Sequence, residues 1–311
     1  MFKKVIIAAV CLGLGLFNVQ SVSADEAKPA VWLQISPVAN RVSLKAGESL
    51  EYIFNIDNIG GEGFRYKVYA TPYSVTDNSY ELDFSKETSR TQISRWITFK
   101  QADGTFANQA SFSIEPGKKQ EIVYRITVPQ DVPTGGQYAT IFAESEPRGG
   151  NNNTGIRAIP RVGLVIFGRT EGQTKDSAEI IDYSVPTFLT NGKFVSSSTV
   201  KNSGNTDFEV SSSLVVEKFF GGKVYEHTTT SAVLPDTSRT VKESWEETPA
   251  FGIFRVTSSF SALDQIRKES KLILIIPTFL IIITLILLTI IITWLIILIR
   301  KRRLQKTRLI V

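Results

Sequence analysis

The stretch from Leu272 to Ile299 constrains this chain more than any other. It carries no charge and consists mostly of isoleucine and leucine. As a helix rising about 1.5 Å per residue it would reach roughly 42 Å, more than the ~30 Å hydrocarbon core of a bilayer. A run apolar on every side has no reasonable place inside a small soluble domain, so a membrane span over 272–299 is expected. Arg300, Lys301, Arg302, Arg303, Lys306 and Arg308 follow without an acid. Positive charge marks the cytoplasmic flank of a span, which puts the tail 300–311 inside and everything before Leu272 outside. Trp294, just before those charges, sits where an interfacial aromatic is expected.

The N-terminus supplies a means of export. Lys3 and Lys4 precede the apolar run Val5 to Phe17, and Val22-Ser23-Ala24 offers small residues for a signal-peptidase cut before Asp25. A signal peptide over 1–24 is expected, an uncleaved anchor being the alternative. The single cysteine, Cys11, lies within this segment behind Val10, which argues against lipidation. The processed chain would then hold no cysteine, which is common in exported bacterial proteins and unusual in animal cell-surface receptors.

The net charge of +5 comes from 35 Lys and Arg against 30 Asp and Glu. Its excess lies in the signal and the tail, and what remains is slightly acidic. No nucleic-acid groove is implied, and no nucleic-acid partner is expected.

Between these ends the pattern has period two. Leu50, Tyr52, Phe54 and Ile56 alternate with Glu51, Ile53, Asn55 and Asp57, and Ile122, Tyr124, Ile126 and Val128 alternate likewise before Pro129. Successive side chains of a strand point to opposite faces of a sheet, so this spacing marks half-buried strands. Turn signals separate them at Lys45-Ala46-Gly47, Ile59-Gly60-Gly61, Pro116-Gly117 and Thr134-Gly135-Gly136. The expected fold is all-β, two tandem immunoglobulin-like β-sandwich domains followed by a single C-terminal transmembrane helix.

An internal repeat supports the pair. Asn58-Ile59-Gly60 with Phe64 aligns without gaps on Asn202-Ser203-Gly204 with Phe208. Asn and Gly are expected to take positive φ in that turn, with the Phe opening the next strand toward the core. Pro116-Gly117 and Pro235-Asp236 then correspond, as do Gly136-Gln137-Tyr138 and Gly252-Ile253-Phe254. The first copy is longer, with extra residues over Tyr73 to Phe99. It is also expected to own an inserted hairpin, Tyr138–Ala143 and Ile156–Phe167, joined by the polar loop 146–155. The expected limits are 29–172 for the first sandwich, 176–262 for the second, and 263–271 for a stalk.

The residues argue against an enzyme. A catalytic triad would have to use His227, the only histidine, within an alternating run that reads as a solvated strand. The processed chain cannot supply the ligands of a zinc site, so no metal and no cofactor are expected. Asp77-Asn78-Ser79-Tyr80-Glu81-Leu82-Asp83 offers oxygens suited to calcium but lacks the loop spacing, and reads as a hairpin turn. Leu234-Pro235-Asp236-Thr237 imitates a sorting signal but lies far from the span. Asn152-Asn153-Thr154 is a formal sequon in a polar loop. Trp96 and Ile97 are either a ligand platform or, as preferred here, a plug at one end of a sandwich. No binding residues stand out.

One family shares this order of features. Leu50 to Ile56, Asn58-x-Gly60, Phe64-Arg65-Tyr66, Ala70-Thr71-Pro72-Tyr73, Trp96-Ile97, Ile114-Glu115-Pro116-Gly117, Ile126-Thr127-Val128-Pro129 and Gly135-Gly136-Gln137-Tyr138-Ala139 resemble the extracellular part of WxL-interacting proteins. The resemblance covers nearly the whole chain in layout and part of it in motif. It implies an N-terminal domain that engages peptidoglycan and a second that engages proteins, surface partners or host molecules among them. The expectation is a non-enzymatic, single-pass bacterial surface protein binding peptidoglycan or another surface protein. An accessory or sensor subunit of a membrane complex is the alternative, with Thr278, Thr284, Thr289 and Thr293 available for helix packing.

Overall fold

A computed structural model of the chain describes residues 31–146, 159–190 and 192–308. The expected signal peptide 1–24, the sequon at 152–154 and all of the 146–155 loop except Glu146 lie outside those residues.

The alternating stretches form strands. In the first half these are β1 (Leu33–Ser36), β2 (Ala39–Leu44), β3 (Ser49–Asn58), β4 (Phe64–Pro72), β5 (Ser74–Val75), β6 (Leu82–Asp83), β7 (Ile97–Lys100), β8 (Phe106–Ala107), β9 (Gln109–Ile114), β10 (Lys119–Thr127), β11 (Gly135–Ser145) and β12 (Arg161–Thr170). They build two five-stranded sheets, β1-β3-β10-β7-β8 and β2-β12-β11-β4-β9. The inward residues of both, among them Phe54, Ile56, Tyr66, Val68, Tyr124, Ile126, Ile141 and Leu164, close one core. Their outward neighbours, such as Glu51 and Arg125, pair across the surface of β3 and β10.

The second half repeats the plan with β13 (Ala178–Ser184), β14 (Phe188–Leu189), β15 (Phe194–Asn202), β16 (Phe208–Lys218), β17 (Lys223–Val233), β18 (Ser238–Trp245), β19 (Gly252–Ala262) and β20 (Gln265–Ile275). The sheets are β13-β15-β18 and β14-β20-β19-β16-β17. Every pairing of the second half has a counterpart in the first. In each copy the first strand is split, one piece antiparallel to the next strand (β1 with β3, β13 with β15) and the other parallel to the last (β2 with β12, β14 with β20). The ladder β9-β4-β11-β12 recurs as β17-β16-β19-β20. The chain is an all-β pair of immunoglobulin-like sandwiches with one C-terminal helix.

The repeated asparagines do the same work in both copies, though not by the expected route. Asn58 Oδ1 accepts from the Gly60 amide at 3.0 Å, and Asn202 Oδ1 from the Gly204 amide at 2.8 Å. Their Nδ2 groups donate to Glu62 O and Ile114 O, and to Thr206 O and Val233 O. Neither asparagine nor the glycine after it has positive φ; the buried side-chain amide, not the backbone, holds the turn. Positive φ falls instead at the second shared signal, Gly117 (67°) and Asp236 (59°). At the third, a Cβ on Gly136 or Gly252 would collide with the aromatic two residues on, Tyr138 or Phe254, which lies over the glycine on the same face of the strand.

Four readings differ from expectation, one of them the start of the apolar helix, which lies at Thr278 and not Leu272. The hairpin of residues 138–143 and 156–167 is no insertion: β11 and β12 have β19 and β20 as counterparts. The second sandwich does not stop at Ala262, and 263–271 is no stalk. Leu263 and Asp264 turn the chain, and β20 continues to Ile275. Ile273 and Ile275, 1% and 2% exposed, fill the second core, while Leu272 faces out at 49%. The helix α1 (Thr278–Arg308) begins after Pro277, whose carbonyl accepts from Leu280 and Ile281. Its segment Thr278–Arg300 is long and apolar enough to cross a membrane, and none of it is buried against the sandwiches. Charge alone could not separate strand from helix here, because Leu272-Ile273-Leu274-Ile275 is apolar on both faces of the strand.

Candidate functional site: a polar cleft between the sandwiches

The true surplus of the first copy is the segment between β4 and β9, carrying β5, β6, β7, β8 and a 3₁₀ turn over Gln92–Arg95. Much of it works at the junction with the second sandwich. Tyr80, at φ 65°, inserts between the two halves and joins a buried cluster with Tyr138, Val200, Phe208, Val210, Leu234 and Phe260. Its hydroxyl accepts from the Leu234 amide at 2.6 Å and bonds the Thr237 hydroxyl at 2.8 Å, and the Arg239 guanidinium lies 4.3 Å from its ring centre. The Thr240 amide donates to Asn78 O at 2.7 Å.

A second set of contacts lies nearby. Arg41 of β2 reaches Asp207 at 2.5 Å and Glu209 at 3.0 Å while lying over Phe167. Burial pulls its guanidinium down, but the two carboxylates outweigh that and its pKa is raised. The Tyr138 hydroxyl donates to the other oxygen of Asp207 at 3.0 Å; burial, then the Asp207 charge, pushes the phenol far above its ordinary range. The Gly136 amide donates to Asn205 O at 2.7 Å. Sequence reasoning missed this junction, although a signal existed. Asp207 stands where the first copy of the repeat has Gly63, and a departure from a repeat is where a copy acquires work of its own.

Between the 73–91 segment and the 234–238 turn lies a cleft of about 490 Å³. Its wall is rich in hydroxyls, Ser74, Thr76, Thr88, Ser89, Thr91, Thr237 and Ser238, with Asp77, Asp236, Lys86 and Arg90 adding both signs of charge. The far rim is pinned: Arg90 O accepts from the Tyr138 amide, Arg90 Nη1 donates to Thr134 O, and Ser89 O accepts from Gln137 Nε2, all within 2.8 Å. Gln137 is fully buried behind that rim, and its Oε1 has no partner among the described residues. Hydrogen bonds from Ser79 hold the Asp77 carboxyl below its usual range, so it is ionised at neutral pH. The cleft offers fixed donors and acceptors to a polar chain.

The residues singled out from sequence fall elsewhere or change meaning. Ile97 opens β7 in the first core and Trp96 packs against that core, so the pair forms a plug rather than an open platform. Asp77 and Asp83 sit at the ends of the β5–β6 hairpin, their carboxylates spent on Ser79 and Ser85. Leu234-Pro235-Asp236-Thr237 is the β17–β18 turn that docks on Tyr80. Among the described residues no cluster of three His, Cys, Asp or Glu could hold a metal.

His227 is not merely solvated. Its Nδ1 lies 2.8 Å from Glu243, a carboxylate 1% exposed, whose other oxygen takes the Ser212 hydroxyl. A nucleophilic serine needs the base itself in contact. Here the glutamate stands between, and Ser212 is buried. This group can orient strands β16, β17 and β18 but cannot activate the hydroxyl.

No family model and no curated protein matches the chain. Among solved structures it is similar to the class 5 fimbrial chaperone CfaA, at 12% identity and TM-score 0.38 over 77% of this chain and 99% of that one. It is also similar to a chain of the CsuC–CsuE chaperone–tip subunit complex of Acinetobacter baumannii, at 15% and 0.39 over 79% and 99%. The E. coli chaperone DraB follows at 10% and 0.34 over 78% and 97%. Likeness at this level carries no argument about function, and the fold stands on the pairing described above.

Proposed function

We propose that this chain is a non-enzymatic surface protein, held by one membrane span, whose two sandwiches form a single outward-facing binding unit, and that the cleft between them takes cell-wall polymer. The observation that carries this reading is the cleft itself, walled by hydroxyls and by both signs of charge and pinned by side-chain hydrogen bonds to backbone carbonyls. A polyhydroxylated or peptide-bearing chain such as peptidoglycan can exchange its water for such groups without burying an unpaired charge. The basic residues after Ile299 support a tail on the cytoplasmic side. A rigid scaffold with its contacts on loops suits recognition rather than chemistry. The resemblance to WxL-interacting proteins points the same way, and a protein ligand at the same surface remains its other half.

The accessory-subunit alternative gains nothing from α1. The hydroxyls of Thr284, Thr289 and Thr293 donate to carbonyls three or four residues earlier in their own helix, so these threonines have no need of a partner helix.

The test is co-sedimentation of the full chain, in detergent, with isolated cell wall at low salt. Retention is expected, and it should weaken when Lys86→Glu and Ser238→Tyr alter and fill the cleft. No retention, or retention indifferent to both changes, rules the cleft out.

A further inference from the structure

The end of the second sandwich nearest α1 is apolar in a way that its fold does not require. Phe188 pairs with Leu274, and Leu274 with Ile253, in one row across β14, β20 and β19. Phe219 lies one residue beyond the Lys218–Phe254 pair and so extends that row across β16. Phe188, Ile253 and Phe219 are each nearly half exposed. Phe220 at the tip of the β16–β17 hairpin is 96% exposed, and Phe251 in the loop before β19 is 63% exposed. The hairpin is shaped to present the pair: Gly221 and Gly222, both at positive φ, turn the chain, and the two phenylalanine rings meet edge to face at 4.9 Å. Farther from the helix the outward residues of β19 become Arg255, Thr257, Ser259 and Ser261. Along β19 the apolar band is therefore confined to the end nearest the helix; at the far end only Leu263 and Ile266, in the turn and at the start of β20, are exposed large apolar residues of this hairpin.

Chain connectivity says what that end faces. Only Ile276 and Pro277 separate β20 from α1, which at ~3.6 Å per residue holds the sandwich within about 10 Å of the first helical turn. Ile276 is itself tied to the sandwich by its bond to Leu189 O at 2.9 Å. The 234–237 turn that docks the first sandwich lies at the opposite end of β17, so the band is not covered from that side.

We propose that this end is a membrane-docking surface, with the Phe219–Phe220 hairpin, Phe251 and the Phe188-Leu274-Ile253 row entering the interfacial layer of the outer leaflet beside the span. Aromatic and aliphatic side chains transfer into that layer because it removes their surface from water while the hairpin backbone keeps its own pairing. The occupant is the lipid surface, since α1 brings it to this end of the sandwich. The docking fixes the height of the binding unit above the bilayer. The inference rests on the reading of α1 as a membrane span.

The test places nitroxide labels on the full chain, carrying Cys11→Ser, in phosphatidylcholine vesicles. The labelled sites are Phe220→Cys at the hairpin, Leu287→Cys within α1, and Val38→Cys on the first sandwich, each exposed enough to be labelled without disturbing a core. Collision with oxygen, which favours lipid, is compared with collision with a water-soluble nickel chelate. Oxygen should dominate at 220 and 287 and nickel at 38. Oxygen at 287 with nickel at 220 overturns the docking while leaving the span intact. Nickel at 287 overturns the span and the docking with it. Shielding from both reagents at 220 would mean a protein covers the hairpin, and also overturns the proposal.

Discussion

Tyr80 gives the sharpest test of whether the two sandwiches form one body. Replacing it by Phe removes only the hydroxyl that accepts from the buried Leu234 amide and bonds Thr237. An unpaired buried donor costs about 1–3 kcal/mol. Tyr80→Ala removes the ring from its cluster as well, a loss of about 3–5 kcal/mol for a large aromatic, with up to ~1 kcal/mol more from the Arg239 contact. The alanine keeps the same positive-φ backbone, so strain does not differ between the two and the comparison isolates the side chain. At about 2–4 °C per kcal/mol for a unit this size, the expected drops in Tm are roughly 2–12 °C for Phe and 6–24 °C for Ala. Scanning calorimetry of the full chain in detergent reads both. The unsubstituted protein should melt in one endotherm, because the cluster around Tyr80 belongs to both halves. Tyr80→Ala should split it in two. A single endotherm at unchanged Tm for Tyr80→Ala would refute the claim that this wedge couples the sandwiches.

Two further outcomes follow from the same geometry. Asn58→Ala and Asn202→Ala each strand one buried amide and two carbonyls, so both should lower the urea unfolding free energy by about 2–4 kcal/mol; one costly and one neutral substitution would break the structural equivalence of the copies. Alkaline titration should destabilise the fold, because burial raises the phenols of Tyr66, Tyr124 and Tyr138, that of Tyr124 to about 12. The folded state holds these protons longer than the unfolded chain, so their contribution is intact below pH ~10 and declines above it, by about 1.4 kcal/mol per pH unit for Tyr124 alone. A urea midpoint indifferent to pH between about 9 and 11 would contradict this.

The strands were legible because their signal is local. Leu50 to Ile56 and Ile122 to Val128 alternate, and β3 and β10 pair where they do. The duplication was legible for a related reason: each shared motif does its work within a few residues, an asparagine amide folding back on its own turn or a glycine making room for the aromatic two positions on. The junction was not legible. Tyr80 meets Thr237 across 157 positions and Arg41 meets Asp207 across 166, and no periodicity encodes such a distance. His227 and Glu243 lie on adjacent strands of different sheets, so their pairing depended on topology rather than spacing. The start of the helix was misplaced because Leu272 to Ile275, in a strand with Ile273 and Ile275 buried on one face and Leu272 exposed on the other, is apolar throughout.

That misplacement bears on how the molecule is built. If the second copy had ended at Ala262, its sheet would lack the counterpart of β12, and β14 would have no parallel partner. With β20 in place every ladder of the second copy has a counterpart in the first, and the copies differ mainly in what was added to each. The first gained the segment between β4 and β9, and it uses Tyr80 and Asn78 from that segment to hold the 234–240 region of its neighbour. The second gained a helix, joined to its last strand by two residues, and an exposed apolar row at that end. The additions sit at opposite ends of β17, one gripping the partner sandwich and the other facing the helix. A pull on the first sandwich would pass through the Tyr80 and Arg41 contacts into β16 and β19, and from there along the whole β19–β20 ladder to the helix. Cutting the chain at Lys271 would therefore remove part of that ladder as well as the helix, so a folded form without the helix has to retain Ile275.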